Sequence, residues 1–250
     1  MPDDGGAGLP APPLLSRDEA LFLDFDGTLV AIAPAPDRVQ VAPELPELLH
    51  ALSAMLDGAV ALVSGRTVDD LARLIAPFAG ALAGQHGLER RGLDGAVIRP
   101  PAEPALARLR PEFARFAARH DGVVLEDKGS GLALHYRQAP GLASACQALV
   151  RGAAEAGGDA FTVIDGKMLS ELVPRRGGKG RAIAGFLAEA PFHGRTPVFV
   201  GDDTTDEDGF AEVNERGGTS VHVGGGATAA RYRLADVGDV LAWLACSLVR

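Results

Sequence analysis

Two carboxylates interrupt an apolar run: LFLDFDGTLV (21–30) places Asp24 and Asp26 two residues apart among Leu21, Phe22, Leu23 and Phe25. Burying an unpaired carboxylate is costly, and two close together also repel. A second acidic stretch, GDDTTDED (201–208), supplies Asp202, Asp203, Asp206, Glu207 and Asp208. Ser64 and Gly65 close the apolar run of LVSGR (62–66), and Lys179 follows Gly177 and Gly178. Acids gathered from separate segments are tolerated only with a cation among them. An all-oxygen donor set favours a hard cation such as Mg²⁺.

Other metal and phosphate patterns fail. Counted from Asp202, an EF-hand loop would need Asp or Asn at the third position and Gly at the sixth, where Thr204 and Glu207 stand. The 6 His and 2 Cys show no zinc-ligand spacing. Gly180 occupies the Ser/Thr place of a phosphate loop, and VGGGATAA (223–230) lacks the GxGxxG spacing of dinucleotide sites.

The elements that must position these residues are short apolar runs ending in polar residues: 20–28, 59–66, 197–203 and 220–224. Such runs suit parallel strands buried on both faces. Between them, 3- and 4-residue apolar spacings predict helices over 43–55, 67–78, 178–190 and 240–249, with Thr67 and Asp70 resembling a capping box. The class is α/β with a doubly wound, Rossmann-like core. In such sheets ligands bind beyond the carboxyl ends of the strands, which is where Asp24, Asp26, Ser64, Asp202 and Asp203 fall.

The middle of the chain reads differently. Helix 104–120, a hairpin 122–137, helix 141–156 and a hairpin 161–173 turning at Asp165–Gly166 make an αββαββ block. The expected domains are a disordered lead-in (1–15), a core (16–98 and 174–250) and an inserted α+β cap (99–173). Gly- and Pro-bearing linkers at 91–103 and 173–178 would be its hinges.

Composition limits the function. Hydrophobic residues at 47% and charged residues at 23% fit a soluble globular protein. No apolar run approaches a membrane span, and MPDDGGAGLPAPPLL does not read as a secretory signal. A net charge of −9 argues against general nucleic-acid binding. Cys146 and Cys246 lie far apart, which suits a reducing cytoplasm. A monomer is expected.

DFDGT (24–28), the strand ending in Ser64, Lys179 and GDDTTDE (201–207) resemble, in order, the four motifs of the haloacid dehalogenase superfamily phosphotransferases. More finely, LFLDFDGTLVAIAPAPDRV (21–39), LVSGR (62–66), LAGQHGLE (82–89), LEDKGSGLALHYR (125–137) and GKMLSELVPRRGGKG (166–180) resemble the trehalose-6-phosphate phosphatase family.

The resemblance implies Asp24 as nucleophile, forming an aspartyl-phosphate. It implies Asp26 as general acid–base, held partly protonated by burial and a neighbouring carboxylate. Mg²⁺ would be held by Asp24, the Asp26 backbone carbonyl and Asp202, with Asp203 and Asp206 orienting neighbours or waters and Glu207 and Asp208 at the surface. Ser64 and Gly65 would bind the phosphoryl group together with Lys179. Glu126, Lys128 and Glu171 match the family's sugar-binding trio. Arg66 either touches substrate or forms a surface ion pair. His86 and Glu89 line the cleft or serve packing or the hinge, and His135 and Arg137 are further cleft candidates. The implied substrate is trehalose 6-phosphate, with sucrose phosphate or mannosyl-phosphoglycerate as alternatives, and the implied functional partner is a trehalose-6-phosphate synthase.

Overall fold

The computed structural model describes residues 8–33, 38–99, 101 and 103–249. Residues 34–37 of the AIAPAPDRV stretch, and 100 and 102 of the first expected hinge, lie outside them, as do 1–7 and 250.

Eight strands form one sheet. β1 (Glu19–Leu23), β2 (Val60–Val63) and β3 (Ala81–Gly84) run parallel to one side, and β10 (Thr196–Gly201), β11 (Thr219–Val223) and β12 (Tyr232–Leu234) run parallel to the other. β4 (Glu89–Arg91) and β5 (Val97–Ile98) extend the β3 edge as antiparallel strands. The order reverses at β1, which lies between β2 and β10. That reversal opens a crevice beyond the carboxyl ends of β1 and β10.

The apolar runs are explained by burial on both faces. Phe22 pairs in register with Phe199. Phe22 stacks on Phe186 of α5 (Lys179–Leu187), and Phe199 packs on Phe210 of α6 (Glu207–Glu215). Leu21, Leu23, Val198 and Val200 alternate with them and are buried too. Two further helices, α1 (Leu45–Met55) and α7 (Val237–Ser247), pack on each other.

A second, four-stranded antiparallel sheet has the order β6 (Val124–Asp127), β7 (Leu132–His135), β9 (Leu169–Pro174), β8 (Phe161–Gly166). With α3 (Pro104–Arg119) and α4 (Ala143–Gly157) it builds its own apolar cluster from Leu106, Phe113, Leu132, Leu134, Cys146, Val150, Phe161 and Leu172. The opposite face carries a row that crosses the sheet in register, Glu126–Ala133–Glu171–Ile164. Period-two alternation adds Lys128 and His135 to that face.

The structure departs from the sequence reading in several places. α2 spans Val68–Leu74 and stops short of 78. Pro77 lacks an N–H and disfavours helix at the residue before it. The acidic stretch after Asp206, for which the apolar spacing predicts no helix, opens the helix α6. The second hairpin turns at Lys167–Met168, not Asp165–Gly166, because Gly166 pairs with Leu169 and Asp165 with Ser170. The later turn extends the ladder out to Phe161–Pro174, and the Ser170 hydroxyl donates to Asp165 Oδ1 at 2.6 Å.

Of the lead-in expected to be disordered over 1–15, the part from Pro10 onward is docked on the core. Arg233 N donates to Pro10 O at 3.0 Å, the Trp243 indole to Pro13 O at 2.9 Å, and Leu15 N to Ser247 Oγ at 3.1 Å. Leu15 is buried against the core. Its side chain supplies the apolar burial that composition alone did not suggest. Replacing Leu15 by Ala should therefore lower stability by about 2–3 kcal/mol in urea unfolding; an unchanged midpoint would mean that the segment is not anchored.

Candidate active site

Asp24 leaves the end of β1 with its backbone N–H donating to Val200 O at 2.9 Å, and its side chain is 6% exposed. Lys179, at the start of α5, donates to Asp24 Oδ1 at 2.7 Å and to Asp206 Oδ1 at 2.6 Å. Asp206 Oδ2 accepts the backbone N–H groups of Asp202 and Asp203, both at 3.0 Å, so one carboxylate fixes the loop after β10 and the lysine together. Asp206 thus orients its neighbours.

Carboxylate oxygens of Asp24, Asp202 and Asp206 lie within 4.8 Å of one another. Burial pushes the Asp24 carboxyl well above its ordinary range; Lys179 opposes this, while Asp206 and Asp202 push further up. Burial and Asp206 also raise Asp202, against Lys167. Lys179 is raised despite its burial, because Asp206 and Asp24 surround it. The group is short of positive charge, and an oxygen-only donor set of this kind fits a divalent cation. Both oxygens of Asp206 are engaged with protein donors, which leaves Asp24 and Asp202 as the carboxylates best placed to hold it. Gly27 has φ +87°, and a Cβ there would stand 2.2 Å from Asp202 Oδ2. Only glycine lets that carboxylate approach the DFDGT turn so closely.

Ser64 follows β2, is buried, and accepts the Arg66 N–H at 3.2 Å. Arg66 is neither a surface residue nor loosely held. Its Nε and Nη2 grip Asp26 at 2.6 and 2.9 Å, and its Nη1 reaches Asp70 at 2.6 Å, with the side chain 10% exposed. The group found against Asp26 is thus a guanidinium, where the sequence reading expects a carboxylate. Asp70 accounts for half of the anticipated capping box: Thr67 Oγ1 accepts Asp70 N–H at 3.1 Å, but the Asp70 carboxylate turns to Arg66 and Arg73.

The second sheet closes the cleft from above. Lys128 Nζ donates to Glu171 Oε1 at 2.8 Å and to the Gly65 carbonyl at 2.9 Å, which joins the sheets directly. Glu126 pairs with His135 at 2.8 Å, and His86 Nε2 lies 3.2 Å from Glu171 Oε2. The cleft is lined by Asp24, Ser64, Arg66, Lys128, Glu171 and Lys179 among others. Asp26, Gly65, His86, Glu126, Asp202 and Asp203 line it too, as do His135 and Arg137. Glu89 instead turns inward, accepting Val68 N–H at 2.9 Å and Arg99 Nε at 3.2 Å where the chain leaves for the second sheet.

Two residues escape the sequence reading. Gln85 accepts a hydrogen bond from the Ser130 hydroxyl, a buried contact from the core to the second sheet. Gln85 and His86 both have left-handed φ, 49° and 54°, a conformation that neither residue type announces. Lys167 reaches Asp202 Oδ2 at 2.6 Å from the hairpin tip; the misplaced turn hid it.

Burial alone would raise Glu171, but Lys128, and after it His86, outweigh burial and hold its carboxyl down to about 2 from an ordinary 4.5. A carboxyl depressed in the folded state stabilises the fold fully above its unfolded value and loses that contribution as the pH falls toward the folded one. Glu171→Gln, which leaves Lys128 buried without its partner, should destabilise by about 3 kcal/mol at pH 7. In urea titrations the gap to wild type should narrow between pH 4.5 and pH 2; a gap independent of pH would show that Glu171 carries no charge in the fold.

The family model described as trehalose-phosphatase matches residues 22–237. The trehalose-6-phosphate phosphatase of Escherichia coli (strain K12) is 46% identical over 233 residues, covering 93% of this chain and 87% of that one. A probable trehalose-phosphate phosphatase of Sinorhizobium fredii is 43% identical over 205 residues, 82% of this chain and 77% of that one. The C-terminal domain of Candida albicans trehalose-6-phosphate phosphatase superposes with a TM-score of 0.83 at 22% identity, covering 98% of this chain and 99% of that one, which speaks for the fold alone. With the family model spanning most of the sequence and a relative this similar over nearly its whole length, the chain belongs to the trehalose-phosphatase family.

Proposed function

We propose that the protein hydrolyses trehalose 6-phosphate to trehalose and inorganic phosphate, with Asp24 as the nucleophile. The observation that carries this reading is the opposition of two surfaces. Asp24 lies beside Lys179 at the floor of the cleft, and the Glu126–Lys128–Glu171 face of the second sheet stands across it. The domain division follows the same geometry, with 16–98 and 174–250 as the catalytic core and 99–173 as a sugar-reading cap.

In the first half-reaction an Asp24 oxygen attacks phosphorus and the bond to the sugar oxygen breaks. Asp26 gives that oxygen its proton. The Arg66 fork is placed to hold the Asp26 carboxylate once the proton has gone. In the second half-reaction Asp26 takes a proton from water, which attacks phosphorus and releases Asp24. Lys179 and Ser64, with backbone N–H groups beside them, bind the phosphoryl oxygens as charge shifts among them. Asp24, Asp202 and the Asp26 carbonyl would hold Mg²⁺, which when bound offsets repulsion between the carboxylates and the anionic substrate. Asp203 and Asp206 keep the loop and Lys179 in place.

Sugar hydroxyls both donate and accept, so alternating carboxylates and an ammonium suit them. Glu126 is held low despite its burial, by the His135 hydrogen bond and by Lys128, which keeps it an acceptor. Lys128 is raised against its burial by Glu171 and Glu126, which keeps it a donor. Arg66 and His86 form the side walls of the same subsite.

Among the described residues no helix is long and apolar enough to cross a membrane. A cytoplasmic enzyme acting after a trehalose-6-phosphate synthase completes the reading.

A phosphate-release panel tests it. Trehalose 6-phosphate should be turned over with Mg²⁺ and not in EDTA, and preferred to sucrose phosphate and mannosyl-phosphoglycerate. Asp24→Asn should lower kcat by about 10⁴-fold while the protein stays folded, because it removes a repelled carboxylate. Glu126→Ala, Lys128→Ala and Glu171→Ala should each lower kcat/KM for trehalose 6-phosphate by about 10²-fold and leave p-nitrophenyl phosphate hydrolysis within about threefold. Equal losses on both substrates would remove the sugar-site assignment.

A further inference from the structure

Lys167 takes no part in the reaction set out above, yet its ammonium lies 2.6 Å from Asp202 Oδ2. The two residues belong to different sheets. Lys167 sits at the tip of the β8–β9 hairpin and Asp202 just after β10. The tip is held in place: Arg137 Nη2 donates to the Lys167 carbonyl at 2.9 Å, and Tyr136 N–H to the Met168 carbonyl at 3.0 Å. Asp202 is equally constrained, its side chain 5% exposed and pressed against the Cβ-less face of Gly27. The Lys167 side chain is 51% exposed, so a flexible stem carries its charge from solvent into a buried carboxylate.

We infer that Lys167 is a resident surrogate for the divalent cation: its ammonium and the metal compete for Asp202, and metal loading releases the hairpin tip from the core. This rests on the reading of Asp202 as a metal ligand. Asp24, Asp202 and Asp206 face Lys179 and Lys167, so the Lys167 charge offsets part of the carboxylate repulsion. A divalent ion at Asp202 performs the same task, and two cations sharing one carboxylate oxygen repel each other. Linkage then sets the sign. Whatever free energy the Lys167–Asp202 pair contributes opposes metal binding by the same factor, and metal binding weakens the pair reciprocally. Metal loading and the position of the second sheet become coupled through one lysine.

The test is calorimetric titration of Mg²⁺ into wild type, Lys167→Met, Lys167→Arg and Asp202→Asn, with hydrogen exchange followed over 165–169. Lys167→Met should bind Mg²⁺ about two- to fivefold more tightly than wild type, the range expected for a partly exposed ion pair. Lys167→Arg, which keeps the charge, should bind as wild type does. Mg²⁺ should speed exchange at the hairpin tip of wild type and leave Lys167→Met unchanged. Lys167→Gln repeats the measurement with a polar side chain should the methionine variant fold poorly. If Asp202→Asn loses Mg²⁺ while Lys167→Met binds no more tightly than wild type, the competition is refuted and the metal assignment stands. If Asp202→Asn binds as wild type does, the metal assignment fails and this inference with it.

Discussion

One ammonium between two buried carboxylates governs this structure. Lys179 is 3% exposed and bridges Asp24 to Asp206. Without it the end of β1 and the loop after β10 would carry facing negative charges in a medium that screens them poorly. The rest of the site is arranged around that bridge. Asp206 spends its second oxygen on the amides of Asp202 and Asp203. Gly201 lies under the Asp206 side chain, where a Cβ would come within 2.3 Å of its carboxyl carbon. Gly27 admits Asp202 in the same way. Close approach, hydrogen bonding and charge are met together, and a change at any one of these residues is felt at the others.

The floor of the cleft was legible in the sequence because a buried parallel strand is written as an apolar run and its end as an abrupt change of chemistry. Asp24, Ser64 and Asp202 each stand at such a change. Strands of small residues give no such contrast. Ala81–Gly84 reads ALAG, with Leu82 as its one large side chain, and its place beside β2 comes from pairing. α6 was masked by acidic residues that serve its first turn and the site before it.

The upper half of the cleft was legible in its residues but not in their partners. Glu126, Lys128 and Glu171 could be placed on strands by alternation, yet the row joining Glu126 to Glu171 through Ala133 depends on a register that no single strand encodes. The Asp165–Gly166 pair favours a tight turn locally, but a longer ladder prevails and moves the tip to Lys167. At Gln85 and His86, tertiary contacts to Ser130 and Glu171 hold a left-handed backbone that propensity argues against. Arg66 reads as an ambiguous cation until Asp26 and Asp70 are both in view.

The pairing of β1 with β10 has a further meaning for the order in which the molecule is made. Lys179 is 155 residues from Asp24, and the whole second sheet is synthesised between them. During translation β1 can pair with β2 at once, but its other edge waits until β10 has left the ribosome. The αββαββ block, with its own apolar cluster, has local contacts enough to collapse in that interval. The nascent chain therefore carries Asp24 beside an open strand edge until the last quarter of the polypeptide arrives, and the cleft is assembled only once β10 has closed that edge of β1.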